Sequence, residues 1–595
     1  MVHRAMITDE TDPGRIGPCA PRAGVVGLAG LLLVAGTGTA AAFPFLDVTN
    51  QDQVPQGTEL AAPDAQDLQH QLQLANGFAP PAGGGWTFVP RVDWQEMLTD
   101  NVLETHSQRQ ADLGSFVTPG IAIAGDMPRI QATFDFAPTL SLYARTGDLN
   151  SLTEQMNGVA TVTLVPDLAF VDVRTISGVH SLFGGVGGLG TLGAPTAGQT
   201  GLIPSLAGNS EGLTKEDEVQ TASFAISPYL LQHFGDWGTG KLGYSLTATD
   251  SNTLNGFVAP PIPSGGGVNS QTLVSNEEIA HFATGDIMQF FQNSFDVDLL
   301  QSQTDTGAGV VTGETGVPAP TTQNTTSVRN TVSDTITYQA TRSVSVSASG
   351  GHEDITFSGF GAQEIHDLTW SLGATWVPNP DSSLSVSYGH LNGFTSLTVN
   401  GHYALTPRTM LTVSYGSSLG TQLENVQNQL NLEATGANGA PVNAVTGAPL
   451  FGAINALGVE DGVFRTTTLT VGGTTSLDRD TFTVNLLMAT QTSSGTTTAS
   501  TASSKVASVN WKHQMNPDMT LSAALSYDIQ DQSAGALSAL NPGNNTSFVG
   551  SLAWQWQISS TLSGSVQYSY FERASPVASF AMYQNMLILG ISKHF

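Results

Sequence analysis

Residues Met586–Phe595 read M-L-I-L-G-I-S-K-H-F and end the chain on an aromatic residue. Leu587, Leu589, Ile591 and Lys593 fall on one register of two, and Ile588, Gly590, Ser592 and His594 on the other. Alternation with a period of two is the mark of a strand whose faces meet different surroundings. Two environments satisfy this stretch: a lipid bilayer on one side and a polar interior on the other, or the core of a soluble β-protein.

The rest of the chain separates the two. In Thr520–Gln530, Leu521, Ala523, Leu525, Tyr527 and Ile529 oppose Ser522, Ala524, Ser526, Asp528 and Gln530. In Ser547–Ile558, Phe548, Leu552, Trp554, Trp556 and Ile558 oppose Ser551, Ala553, Gln555 and Gln557. Phe482, Val484, Leu486 and Met488, then Leu384, Val386 and Tyr388, then Val566, Tyr568 and Tyr570 repeat the pattern. A sandwich also alternates, but its inner faces meet as one apolar core. Here the second face is built from small hydroxylated residues, which suits a wet lumen. Trp376, Tyr403, Trp554 and Tyr570 at strand ends suit interfacial girdles.

Connections give a second signal. Short turns are expected at Gly125–Pro128, Pro166-Asp167, Phe234–Trp237, Thr341-Arg342, Asn379–Ser382, Thr406–Arg408, Asp478–Asp480 and Asn516–Met519. Between them lie stretches expected to be long loops: Gly178–Asp217, Asp250–Glu277, Asp305–Thr326, His352–Asp367, Glu424–Asp461 and Asp531–Asn545. Tight periplasmic turns alternating with long external loops define an antiparallel transmembrane β-barrel, all-β, of about 22 strands, roughly 20–24. The last strand must pair with a first strand near Trp86.

Composition agrees. Only 11% of the 595 residues are charged, 65 are glycine, and the net charge is −29. Such a chain is poor material for helices, and its acidity argues against nucleic acid as a partner. Residues 1–42 have the plan of a signal peptide: Arg15 and Arg22, the apolar run Val25–Ala35, then Ala40-Ala41-Ala42 before Phe43. Asp9, Glu10 and Asp12 are unusual in such a leader and leave Met6 or a later codon open as its start. The single cysteine, Cys19, leaves with it. Residues 43–85 form a flexible periplasmic segment with one short helical stretch, Asp64–Leu74, and are too short to be a plug domain; the barrel occupies 86–595.

The terminal phenylalanine and the alternating Leu587, Leu589, Ile591 and Phe595 resemble the barrel assembly signal of Gram-negative outer-membrane proteins. Lys593 is the irregular position, tolerable if its ammonium snorkels to the interface. A succession of short motifs carries a narrower resemblance. Thr99-Asp100-Asn101-Val102 is followed by Asp112 and Thr118-Pro119-Gly120, then Leu164–Asp172, Ile226–Leu230, Tyr403–Thr409, Ser414-Tyr415-Gly416 and Asn455–Asp461. In that order they are similar to the outer-membrane barrels associated with PEP-CTERM/exosortase systems and exopolysaccharide loci. The resemblance implies the outer membrane, contact with lipid, lipopolysaccharide and the barrel assembly machinery, and a role beside an exopolysaccharide export apparatus. It implies no site residues. A general diffusion porin, and a structural or adhesive barrel with a blocked lumen, are the alternatives.

The search for chemistry yields little. His352, Glu353, Asp354, His366 and Asp367 are the candidate metal ligands, since imidazole plus carboxylate suits a transition metal; their spacing matches no standard site. Glu216-Asp217-Glu218 and Glu277-Glu278 supply too few oxygens for calcium. Gly184–Gly190 lacks a phosphate-loop lysine. Ser, His and Asp are numerous, but nothing local suggests a catalytic triad, so no enzyme activity and no cofactor are expected.

Overall fold

The computed structural model describes residues 85–181, 218–253, 271–285, 290–306, 325–359, 362–421, 423–425, 427–428, 433–435, 441–443, 463–494, 501–532, 543–576 and 581–595. The leader, the segment before Gly85 and most of the Gly178–Asp217 and Glu424–Asp461 loops lie outside the described residues.

The chain runs as a meander. β1 (Gly85–Thr99) and β2 (Asp112–Met127) lead into β3 (Ile130–Tyr143), β4 (Ser151–Val165), β5 (Ala169–Ser181) and β6 (Glu218–His233). β7 (Gly238–Thr253), β8 (Gln271–Thr284), β9 (Phe291–Thr306), β10 (Thr325–Thr341) and β11 (Val344–Ser358) follow. Next come β12 (Gln363–Asn379), β13 (Ser382–Leu391), β14 (Phe394–Thr406) and β15 (Thr409–Thr421). β16 (Glu433–Thr435) and β17 (Pro441–Asn443) pair only with each other. The wall resumes with β18 (Val463–Ser476), β19 (Asp480–Ser493), β20 (Thr501–Asn516), β21 (Met519–Gln532), β22 (Gly543–Ser559), β23 (Leu562–Ala574) and β24 (Met582–His594).

Twenty-two strands form one antiparallel sheet, and β1 pairs with β24 from Arg91↔His594 to Thr99↔Met586. The sheet is therefore closed, as the alternation required. Closure satisfies the backbone groups that lipid cannot. Leu525, Tyr527, Ile529, Leu552, Trp554, Tyr568, Val484 and Met488 are exposed on the outer surface, and Leu587, Leu589 and Ile591 join them. Gly590 and Ser592 are buried on the inward side. Outward rings pair into girdles: Trp376 stacks on Tyr403 at 6.2 Å, and Trp370 meets Tyr388 edge-on at 5.9 Å. An apolar, girdled exterior around a closed antiparallel sheet is that of a bacterial outer-membrane barrel.

The seam is fastened at both ends. At the external end the Asp100 carboxylate accepts from the backbone N–H and the side-chain amide of Asn585, each at 2.8 Å. Asn101 donates to the Tyr583 carbonyl at 2.9 Å, and Gln584 donates to Thr99 Oγ1 at 3.0 Å. The first motif of the family resemblance is thus the clasp of the seam. At the other end the Phe595 N–H donates to the Pro90 carbonyl at 3.0 Å, and Lys593 Nζ donates to Thr561 Oγ1 at 2.6 Å. Lys593 reaches the strand-end turn, so its irregularity is accommodated by snorkelling. Inside the barrel Arg91 grips Asp135 through both terminal nitrogens, at 2.5 and 2.7 Å. A Cβ at Gly120 would come within 2.9 Å of the Arg91 Nε, so a larger residue there would push the Arg91 side chain aside.

Two expectations about connections need correction. His352–Asp367 is not a loop: β11 continues to Ser358 and β12 starts at Gln363. Likewise β7 runs to Thr253 and β8 starts at Gln271, inside the stretch assigned to a loop. These strands rise beyond the bilayer, where lipid no longer demands apolar side chains and polar composition reads as loop. β13 and β14 are joined at the external end by a two-residue turn, Asn392-Gly393, so not every external connection is long.

Asp100→Ala removes the acceptor of two seam hydrogen bonds and should lower unfolding stability by about 1–3 kcal/mol, read as an earlier loss of the compact band on heating in detergent. Leu525→Arg, on the lipid side, should cost about 2–4 kcal/mol, whereas Ser565→Asp, on the inward side, should be much milder in urea-driven unfolding from bilayers. Equal costs would contradict the assignment of faces.

Candidate functional site

The candidate site is the lumen. Inward positions carry Ser and Thr whose hydroxyls pair across strands: Ser349 with Ser371 at 2.6 Å, Thr118 with Thr139 at 2.8 Å, Ser227 with Ser245 at 2.9 Å. Short hydroxyl side chains suit a curved wall because they pair without projecting far into the lumen.

Toward the external end this polar lining gives way. Leu487, Val506, Ala524, Val549, Phe571 and Met582 form a buried apolar cluster along the inward faces of β19 to β24. Met97, Phe116, Met586 and Ile588, with Tyr143 against them, continue it past the seam. The expectation of a uniformly wet lumen therefore holds for only part of its height. Inward Phe116, Phe357 and Phe571 are buried, so they are not open stacking platforms in this conformation.

A second departure arises from the short β13–β14 hairpin. β12 pairs with β13 only from Trp370↔His390 onward, and β14 pairs with β15 only up to Val399↔Tyr415. The external ends of β12 and β15 thus project beyond their neighbour. They do not stand apart. Leu419 of β15 and Val463 of β18 pack with Ile355, Phe357 and Ile365 of β11 and β12, with Phe394 against the cluster. Arg465 lies over the Phe394 ring at 3.9 Å. Beyond β15, Glu424 bonds Ser302 of β9, and Gln427 accepts from Ser275 of β8 at 3.3 Å. Ser494, just past β19, bonds Gln363 of β12. The external ends of β15, β18 and β19 therefore reach the inner faces of β8 to β12 and form a strap across that side of the lumen.

The Asn392-Gly393 turn is held beneath the strap. Both residues have positive φ, 56° and 74°, the backbone of a tight hairpin turn that asparagine and glycine tolerate best. Their N–H groups donate to the two oxygens of Glu353, at 2.8 and 2.9 Å. Arg329 donates to Asn392 Oδ1 at 2.7 Å and, through its other terminal nitrogen, to the Leu419 carbonyl at 2.8 Å. One buried arginine and one buried glutamate thus tie turn and strap to the inner wall. Such hydrogen bonds to charged groups contribute about 1.5–3 kcal/mol each. Below the turn is an open recess between β10 and β14, lined by Thr331, Ser333, Ser349, Thr369, Ser371 and Ser387 among others.

The five metal candidates are divided by the wall. His352, Asp354 and His366 lie on the outward face, where Asp354 meets His366 at 2.7 Å and His352 at 3.3 Å. Glu353 faces inward and holds the turn, and Asp367 meets His390 at 3.4 Å. Among the described residues no group of three or more His, Cys, Asp or Glu is arranged to hold a metal ion. Sequence reasoning missed Arg329 and the turn. The turn had a signal, the dipeptide Asn-Gly between two alternating runs; Arg329 had none, since its partners are remote in the chain.

No protein-family model and no curated protein match this chain. Solved structures do match in outline. The FrpB iron transporter from Neisseria meningitidis is similar at 10% identity over 89% of this chain and 83% of that one, with a TM-score of 0.48. The ferric-catecholate import receptor Fiu from E. coli K12 is similar at 9% identity over 87% and 82%, TM-score 0.45. The siderophore receptor PirA from Acinetobacter baumannii is similar at 10% over 85% and 80%, TM-score 0.45. The likeness is one of barrel architecture, and nothing about cargo follows from it.

Glu353→Ala leaves two turn N–H groups without their acceptor. It should lower unfolding stability by about 2–4 kcal/mol and make the peptide bonds around Asn392-Gly393 cleavable by an external protease that spares the native barrel.

Proposed function

We propose that this barrel assists the export or surface assembly of an exopolysaccharide, in the setting implied by its resemblance to barrels of PEP-CTERM and exopolysaccharide loci. The observation that supports this most is the recess between β10 and β14. Its lining hydroxyls, from Thr331, Ser333, Ser349, Thr369, Ser371 and Ser387, present a neutral surface to the lumen. Sugar hydroxyls exchange hydrogen bonds with such groups at little net gain per contact. Many weak, replaceable contacts suit a moving polymer better than one tight site.

The strap and turn give the channel a closed state. Opening requires release of Asn392-Gly393 from Glu353 and of Glu424 from Ser302. A second reading has one observation in its favour. The buried apolar belt under the external mouth is also what a barrel with a permanently blocked lumen would carry.

Planar-bilayer recording and a deletion strain separate these. The native barrel should show small, infrequent openings, and Glu353→Ala should raise both conductance and open time. Loss of the gene should reduce the yield or chain length of surface polysaccharide. Silence from both proteins in the bilayer would favour the blocked barrel, and unchanged polymer would remove the export role.

A further inference from the structure

Asp528 is fully buried on the inward face of β21, away from the strap and the turn. Ser504 donates to its Oδ1 at 2.8 Å, while Oδ2 has no hydrogen-bond partner. Taking a carboxylate out of water costs several kcal/mol unless a partner offsets it.

The register identifies what surrounds it. Val506 of β20 and Ser547 of β22 lie directly opposite Asp528. Ser504, Ser508, Asn545 and Val549 occupy the diagonal positions, and Ser526 and Gln530 are its inward neighbours on β21. Directly opposite and diagonal side chains are within reach of one another on a sheet face. None of these neighbours carries positive charge. The nearest cationic residue in the same row is Arg573, opposite Ser547 and one strand further on.

What the neighbours do carry is oxygen, much of it without a partner. Both polar atoms of the buried Asn545 amide lack a hydrogen bond, as do the hydroxyls of Ser526 and Ser508. Buried polar groups in native proteins are almost always paired, and each unmade bond costs about 1–3 kcal/mol. A cluster of unpartnered oxygens around one unpartnered carboxylate oxygen calls for a single electropositive occupant.

We propose that Asp528, Asn545 and Ser526 bind a hard cation, calcium or sodium, on the inner wall between β20 and β22. Hard cations take carboxylate, amide and hydroxyl oxygens together and complete their shell with water. One carboxylate among neutral ligands balances a monovalent ion fully and a divalent ion in part, so sodium and calcium are the two ions to compare. The occupant would tie β20, β21 and β22 together beside the apolar cluster that contains Val506 and Val549. This site does not depend on the export role.

The test uses the full chain, refolded in detergent without lipopolysaccharide, stripped with EDTA and held in Tris as the sole cation. Added CaCl2 or NaCl should raise the thermal midpoint of the β-sheet circular dichroism by several degrees and saturate, with about one ion retained per chain in equilibrium dialysis. The ion that does so at the lower concentration is the preferred occupant. Asp528→Asn and Asn545→Leu should each abolish the rise and the retention. In Tris alone Asp528→Asn should be no less stable than the native chain. A midpoint indifferent to both salts, or one that rises equally in Asp528→Asn, would overturn the site. So would an ion pair in its place, recognised when Arg573→Gln and Asp528→Asn lower the midpoint equally in Tris and the double variant loses no more.

Discussion

Everything in this molecule depends on closing the sheet. A strand in hydrocarbon has no water to satisfy its N–H and C=O groups, so an open edge costs several kcal/mol for each unpaired group. The chain meets that constraint by pairing its last strand with its first, Met586 with Thr99 and His594 with Arg91. The terminal stretch is therefore not decoration on a finished barrel. Asp100 and Asn101 clasp its external end, while at the other end Phe595 bonds Pro90 of β1 and Lys593 bonds Thr561 in the turn before β23.

The same constraint explains the strap. A short β13–β14 hairpin leaves projecting edges on β12 and β15 above the level of the turn. Unpaired strand edges invite unwanted pairing unless something covers them. Here the external ends of β15 and β18 fold onto the inner faces of β11 and β12, burying Leu419 and Val463 against Ile355 and Ile365. The turn fills the space between, held by Glu353 and Arg329. One local shortening of the wall thus produces both a protected edge and a narrowed lumen.

The outward face was legible because lipid imposes a simple demand, an apolar residue at every second position through the hydrocarbon. Leu525, Tyr527, Leu552 and Tyr568 could be placed from alternation alone, and they are exposed where expected. Above the bilayer that demand lapses. His352, Asp354 and His366 stand on strands, but their polarity is equally that of a loop, so local composition does not mark where the wall ends. The inward face obeys no period-two rule strong enough to separate hydroxyl wall from apolar belt. In the last strand Leu587, Leu589 and Ile591 face out as their register with Gly590 and Ser592 requires, but nothing in that register says that the inward Met586 and Ile588 belong to an apolar belt.

Legible in the residues alone were an antiparallel barrel of about twenty-two strands, its lipid-facing side chains, and a last strand that meets the first near Trp86. These follow from local period and from turn spacing, which are properties of neighbouring residues. The contents of the lumen depend instead on contacts between segments far apart in the chain. Glu353 meets the Asn392-Gly393 turn about forty residues away, Arg329 meets Leu419 ninety residues away, and Glu424 meets Ser302 across 122. No local pattern encodes such contacts. They exist because closure brings opposite walls together around a common interior, and side chains remote in the chain then become each other's solvent.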